Sequence, residues 1–169
     1  MLDGGIQAWV AAGGTLETDI PSPRPATMSV RESLTRQIDR KALEGRLGSV
    51  PVIDARAGDR YRGETEPIDP VAGHIPTARN APYEGNLRDD LTFADVADLR
   101  RRFEALGAKE GTVVYCGSGV TACHDILAIT IAGLPEPTLY PGSWSDWSTS
   151  GGEVATGDEE APGARRQNH

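Results

Sequence analysis

Cysteine is scarce in this chain. Cys116 and Cys123 are the whole supply, too few for a disulfide framework, and no zinc-type Cys/His pairing accompanies them. Long apolar runs are missing as well. The longest largely apolar stretch, 126–135, contains a threonine and falls far short of the roughly 20 residues that a membrane-crossing helix needs. Positive charge is in deficit, with 17 basic residues against 25 acidic, a net charge of −8 and a pI of about 4.9. A nucleic-acid binder would want a basic face. No basic segment leads into an apolar one at residues 1–5, so no signal peptide is expected. Sustained heptads and short-period repeats are lacking, which sets aside coiled-coil, collagen-like and mucin-like chains. The expectation is a soluble, cytoplasmic protein with reduced thiols and neither nucleic acid nor membrane as a partner. Its 169 residues, 38% of them apolar, suffice for one ordinary core with appendages.

What is present begins with an internal repeat. Near the start, Leu2 and Gly5 are followed by Trp9, Gly13, Gly14 and Thr18; near the end, Leu139 and Gly142 are followed by Trp147, Gly151, Gly152 and Thr156. The two series align after a slip of one residue, and a tryptophan held between glycines is a costlier coincidence than Gly and Thr matches alone. The repeat makes residues 1–20 the tail of a truncated first domain copy and residues 28–150 a complete second copy. Between them, Pro21, Pro23 and Pro25 stand at alternate positions, so 21–27 reads as a semi-rigid linker. Residues 151–169 read as a flexible C-terminal tail, polar and aperiodic from Gly157 onward.

Within 28–150, short β-branched runs at 50–53 and 112–115 predict strands, with further strands at 138–140 and, at an edge, 28–31. Helices are expected over 39–47, 93–106 and 122–132. In the second, Val96, Leu99, Phe103 and Leu106 keep the 3–4 spacing of one buried face and Gly107 stops it; the third is apolar nearly all round. Strands alternating with helices imply an α/β fold with a mostly parallel central sheet and helices on both faces.

One segment carries chemistry. A buried strand runs straight into Cys116, then into the small-residue loop Gly117, Ser118, Gly119, Val120, Thr121, and then into a helix. Sheets of this class place reactive groups at the carboxyl ends of their strands. Two glycines let the backbone curl so that several N–H groups point at one atom, and the helix adds its positive end. Such a cradle stabilises a thiolate, which makes the sulfur nucleophilic, and it would hold an anion docked there. A phosphatase loop of similar length needs an arginine six positions after the cysteine; here that position is Ala122, and the main electrostatic support for phosphoryl transfer is missing.

The run Cys116 to Ala122, read CGSGVTA, resembles the active loop of rhodanese-like sulfurtransferases of the 3-mercaptopyruvate branch; thiosulfate-preferring relatives carry two basic residues where this chain has Gly117 and Ser118. Asp54-Ala55-Arg56, Arg60-Tyr61-Arg62-Gly63, Gly73-His74-Ile75-Pro76, Asn80 and the run 139–144 follow the same family's order, and residues 2–18 resemble the end of its non-catalytic N-terminal domain. The resemblance implies a rhodanese-like fold and an enzyme in which Cys116 takes a sulfane sulfur from 3-mercaptopyruvate or thiosulfate. The resulting persulfide passes that sulfur to cyanide, a thiol or a protein, with no cofactor or metal. It implies that Arg60 binds the donor's anionic end, and that Ser118 hydrogen-bonds a donor carbonyl or relays a proton. Thr121 is expected to cap the following helix with its hydroxyl. The branch usually has a second substrate arginine just after a Glu-Pro pair. Here Glu66-Pro67 leads into Ile68-Asp69, with Arg62 as the substitute to test.

Other residues are read as structural. Cys123 is expected to pack as a small hydrophobe, His74 to bond backbone in its turn, and His124 and Asp125 to face solvent. Trp144 and Trp147 should anchor a short helix, Asp54 and Arg56 should pair, and Arg100, Arg101 and Arg102 should lie on a polar helix face. Two other functions stand beside the enzyme: a sulfur-relay module with little free-donor turnover, and an inactive remnant. Exposed Ile6, Trp9 and Val10 would give self-association through the residual N-terminal segment.

Overall fold

A computed structural model of the protein describes residues 1–29 and 33–158. Its centre is a four-stranded sheet of β1 (Val52–Asp54), β2 (Ala78–Asn80), β3 (Val113–Tyr115) and β4 (Thr138–Leu139), in the order β2-β1-β3-β4 with every pairing parallel. The period of 2 along each strand divides the core. Ile53 and Val114 face one side, where they meet Leu99, Phe103, Ala128 and Ile129; Val52, Val113 and Tyr115 face the other, with Leu43, Tyr61, Tyr140, Trp144 and Trp147.

Helices α4 (Val96–Ala105) and α5 (Ala122–Ile131) cover the first face, and α2 (Arg40–Glu44), α3 (Gly58–Arg62) and α6 (Ser143–Thr149) the second. With both faces covered, the strands need no polar alternation, as their apolar runs implied. Asp39 caps α2, accepting from Ala42 N at 2.8 Å. Among the described residues no helix is long and apolar enough to cross a membrane.

Several expectations are corrected. β2, Ala-Arg-Asn, has no β-branched residue to announce it, and forms because β1 offers it a parallel edge. Helix α4 starts at Val96 rather than at Phe93, whose N–H is bonded to Asp3 Oδ1 and which bridges to Leu87. Val96 is 54% exposed, off the face buried through Leu99 and Phe103. The expected edge strand at 28–31 lies partly outside the described residues, and Met28 and Ser29 are not in a strand. In the segment read as a flexible tail, His74 and Ala155 exchange both backbone hydrogen bonds and Gly157 N bonds Arg62 O; residues 159–169 lie outside the described residues.

The repeated segments share a local structure. Helix α1 (Gly5–Ala11) and α6 each carry, two residues before their end, a tryptophan packed against the second glycine of a pair. Gly14 N bonds Trp9 O and Gly152 N bonds Trp147 O, while each indole N–H donates to the carbonyl six residues on, Thr15 or Glu153. A Cβ on either glycine would overlap the indole, at 2.2 Å and 2.5 Å. Their surroundings differ: Trp147 is buried in the core, whereas Trp9 is 45% exposed.

Candidate active site

Cys116 is buried at the carboxyl end of β3, on the α4/α5 side of the sheet. Its sulfur receives the N–H of Gly119 at 3.1 Å, a donor aimed at the atom where negative charge would sit. Gly119 has φ +85°, and a Cβ there would stand 2.7 Å from Pro141 O, so the conformation and the space both call for glycine.

The loop is pinned from an unexpected side. Ser143, itself at φ +55°, accepts the Cys116 N–H on its hydroxyl at 3.1 Å and donates to Tyr140 O at 2.9 Å. Trp144 N and Ser145 N bond the carbonyls of Cys116 and Gly117. The start of α6 thus consumes the polar backbone of the loop's first half. Sequence reasoning missed Ser143; the only signal was its place in the run following β4. Thr121 does not cap α5 as expected. It occupies the N-cap position with φ −70° and ψ −19°, a helical conformation rather than the extended one usual for a cap, and it makes no side-chain cap bond.

A cavity of about 310 Å³ opens over the sulfur, lined among others by Cys116, Gly117, Ser118, Val120, Thr121, Arg60, Asp69 and Glu84. Arg60 and Cys116 therefore share one cavity, while Arg62 is not among its lining and forks onto Glu64. Ser118 is exposed at the rim. A larger cavity, about 390 Å³, lies at the opposite ends of the strands and is lined by neither cysteine.

Behind the cavity is a buried ion-pair chain. Arg56 forks onto Asp54, bonds Gly73 O at 2.7 Å and Glu66 at 3.2 Å, and stacks its guanidinium 4.6 Å from the Trp144 ring. Glu66 also takes Arg60 at 2.6 Å. Burial works to raise the Glu66 pKa, but the Arg60 hydrogen bond and the N–H groups of Asp69 and Ile68 outweigh it, so the carboxyl stays below its ordinary range. Asp54 and Arg56 pair as expected. They carry Glu66, and through it Arg60, to the cavity wall.

Four structural expectations are corrected. Cys123 is exposed rather than packed, its sulfur 3.4 Å from Gly119 O. Asp125 is fully buried, because its turn of α5 faces the 3-10 helix Tyr83–Asn86, and it accepts from Asn86 Nδ2 at 2.6 Å. His124 is half-buried, stacked on Phe93. Arg102 departs from the exposed arginine face by reaching Pro82 O. His74 does bond backbone, at Tyr61 O, and Trp144 and Trp147 are buried with α6.

The family model described as "Rhodanese-like domain" matches residues 33–150. The chain is 47% identical to a Pseudomonas aeruginosa protein named "Probable 3-mercaptopyruvate sulfurtransferase", over 94% of this chain and 58% of that one. It is 40% identical to "Putative thiosulfate sulfurtransferase SseB" of Mycobacterium tuberculosis, over 88% and 54%. The solved 3-mercaptopyruvate sulfurtransferase from Leishmania major superposes with a TM-score of 0.73 at 34% identity, covering 88% of this chain and 43% of that one. This chain therefore spans little more than half the length of the curated relatives it matches.

Proposed function

The chain belongs to the rhodanese-like domain family, and from that premise we propose that it is a sulfurtransferase moving a sulfane sulfur from 3-mercaptopyruvate or thiosulfate to a thiophilic acceptor through a Cys116 persulfide. The observation that carries this reading is the Cys116 sulfur, held by the Gly119 N–H in a cavity shared with Arg60. The thiolate attacks the donor sulfur and a new S–S bond forms. The donor's C–S bond breaks to leave pyruvate enolate, which takes a proton, or its S–S bond breaks to leave sulfite with the electron pair. An acceptor thiolate or cyanide then takes the outer sulfur and returns Cys116 as thiolate, in ping-pong order. Arg60 holds the donor's anionic end, and the loop N–H groups steady the charge on sulfur. Free Cys116 and Cys123 suit a reducing compartment such as the cytoplasm.

The same proposal makes residues 1–20 the tail of a first domain copy, 21–27 a linker and 28–150 the catalytic copy. The matching Trp9–Gly14 and Trp147–Gly152 folds support it. In this chain alone, the exposed Ile6, Trp9 and Val10 are expected to drive self-association, and a monomer by light scattering at working concentration would count against it.

A sulfur relay to or from a protein is the second reading. It is favoured by Ile68 and Val120, apolar residues at the cavity that are 75% and 73% exposed and suited to a protein surface. Incubation with each donor followed by intact-mass measurement tests the first reading. One added sulfur on wild type and none on Cys116→Ser is the expected result. No added sulfur on folded protein would reject turnover of free donors, and transfer from a persulfidated protein would then support the relay.

A further inference from the structure

Arg60 offers less positive charge to a donor than its position in the cavity suggests. Its Nε and Nη2 are taken by Glu66, and Nη2 also meets Asp69 at 3.3 Å. Among the described residues its Nη1 makes no hydrogen bond; it lies 3.6 Å from the place a Gly117 Cβ would occupy, beside the cysteine loop. Arg56 is wholly engaged by Asp54, Glu66 and Gly73 O.

The cavity is also lined by two carboxylates, Asp69 and Glu84; Asp69 meets Arg60, and the charge of Arg102 acts on Glu84 from outside the lining. With Asp54 and Glu66 behind the wall, four acidic groups stand against Arg56, Arg60 and Arg102. An anion entering this space gains one free guanidinium arm and meets a negative surround.

We infer that Asp69, seconded by Glu84, sets the charge of the donor that this cavity accepts, favouring a monoanionic 2-oxo-acid thiol over dianionic thiosulfate. The inference takes its donors from the Cys116 transfer reading and adds a rule for choosing between them. The physical reason is that Coulomb energy scales with the product of charges. Each acidic side chain costs a dianion twice the free energy that it costs a monoanion at the same place. Asp69 adds a direct competition, since it holds the arginine arm that a second anionic oxygen would need.

The squared relation is what the experiment reads. In the 169-residue chain, Asp69→Asn removes one charge with little change of shape, and Glu84→Gln does the same at an exposed position where folding is not at risk. Persulfide formation on Cys116 is followed by mass against donor concentration. For Asp69→Asn the expected gain in kcat/KM is about threefold with 3-mercaptopyruvate and about tenfold with thiosulfate, carried by KM and reduced at high salt. Glu84→Gln should show the same pattern with smaller gains.

A second readout needs no transfer: protection of Cys116 from iodoacetamide by pyruvate or sulfate, read on the Cys116 peptide. Sulfate protection should improve by the square of the improvement for pyruvate. Persulfide formation with equal gains for both donors, or with none, would overturn the charge rule and leave sulfur transfer intact. Absence of persulfide on wild type would instead reject free-donor transfer, and the sulfate-to-pyruvate ratio would then decide the charge rule alone.

Discussion

Gly119 gives its backbone N–H to the Cys116 sulfur at 3.1 Å, from a left-handed conformation in which Pro141 leaves no room for a side chain. Replacing it by alanine strains φ and pushes the loop from α6, so the donor moves off the sulfur. A hydrogen bond to a charged group contributes about 1.5–3 kcal/mol. Gly119→Ala should therefore slow Cys116 alkylation by iodoacetamide roughly tenfold or more at fixed pH. An unchanged rate would show that this N–H does not activate the sulfur.

Asp125 predicts a pH dependence of stability. Burial, opposed by the Asn86 hydrogen bond and the charge of Arg102, raises its pKa from 3.8 to about 7. His124, Glu84 and Asp54 are its other charged or titratable neighbours. The folded state thus binds the proton more tightly than the unfolded chain. This group's contribution is full below about pH 4 and is lost as pH rises through about 7. Asp125 Oδ2 and Asn86 Oδ1 are both buried without a partner, so two acceptors stand without a donor until protonation of the acid supplies one by donation. Asp125→Asn should reproduce that donation without titrating. Its melting temperature is expected to exceed wild type's at pH 8, with the difference shrinking towards pH 5.

The paired tryptophans predict unequal costs for equal substitutions. Gly152→Ala forces a methyl into the buried Trp147 ring and should destabilise by about 1–3 kcal/mol, a drop of several degrees in thermal unfolding. Gly14→Ala meets Trp9, which is 45% exposed and free to move outward. Its midpoint should stay within about a degree of wild type.

Cys123 sits seven residues after Cys116, with its sulfur near the loop carbonyl of Gly119 and exposed to solvent. Cys123→Ser should keep the persulfide mass on Cys116 and change its rate of formation less than about twofold. Loss of the persulfide in this variant would make Cys123 a participant in the transfer.

The parts of this protein legible in its sequence are those set by local pattern. The strand-to-cysteine run, the α5 helix and the Trp-Gly repeat depend on near neighbours, on glycine's conformational freedom and on side-chain periodicity. Residues 78–80 and 58–62 were not legible as elements, since Ala-Arg-Asn and Gly-Asp-Arg-Tyr-Arg have weak preferences that only a sheet edge or a packed Tyr61 settles. The inversion of Asp125 and Cys123 has the same origin. On a helix buried nearly all round, the polar pattern does not say which side meets water.

From its sequence alone the chain determined an α/β fold with a cysteine at the carboxyl end of a strand, because an apolar run passes through small loop residues straight into a helix. Only the tertiary structure decided what surrounds that sulfur: Ser143 gripping the Cys116 N–H from 27 residues away, and Asp69 paired with Arg60 at the same cavity. Hydrogen bonds and Coulomb fields act through space, so partners distant in the chain are fixed by packing and not by spacing.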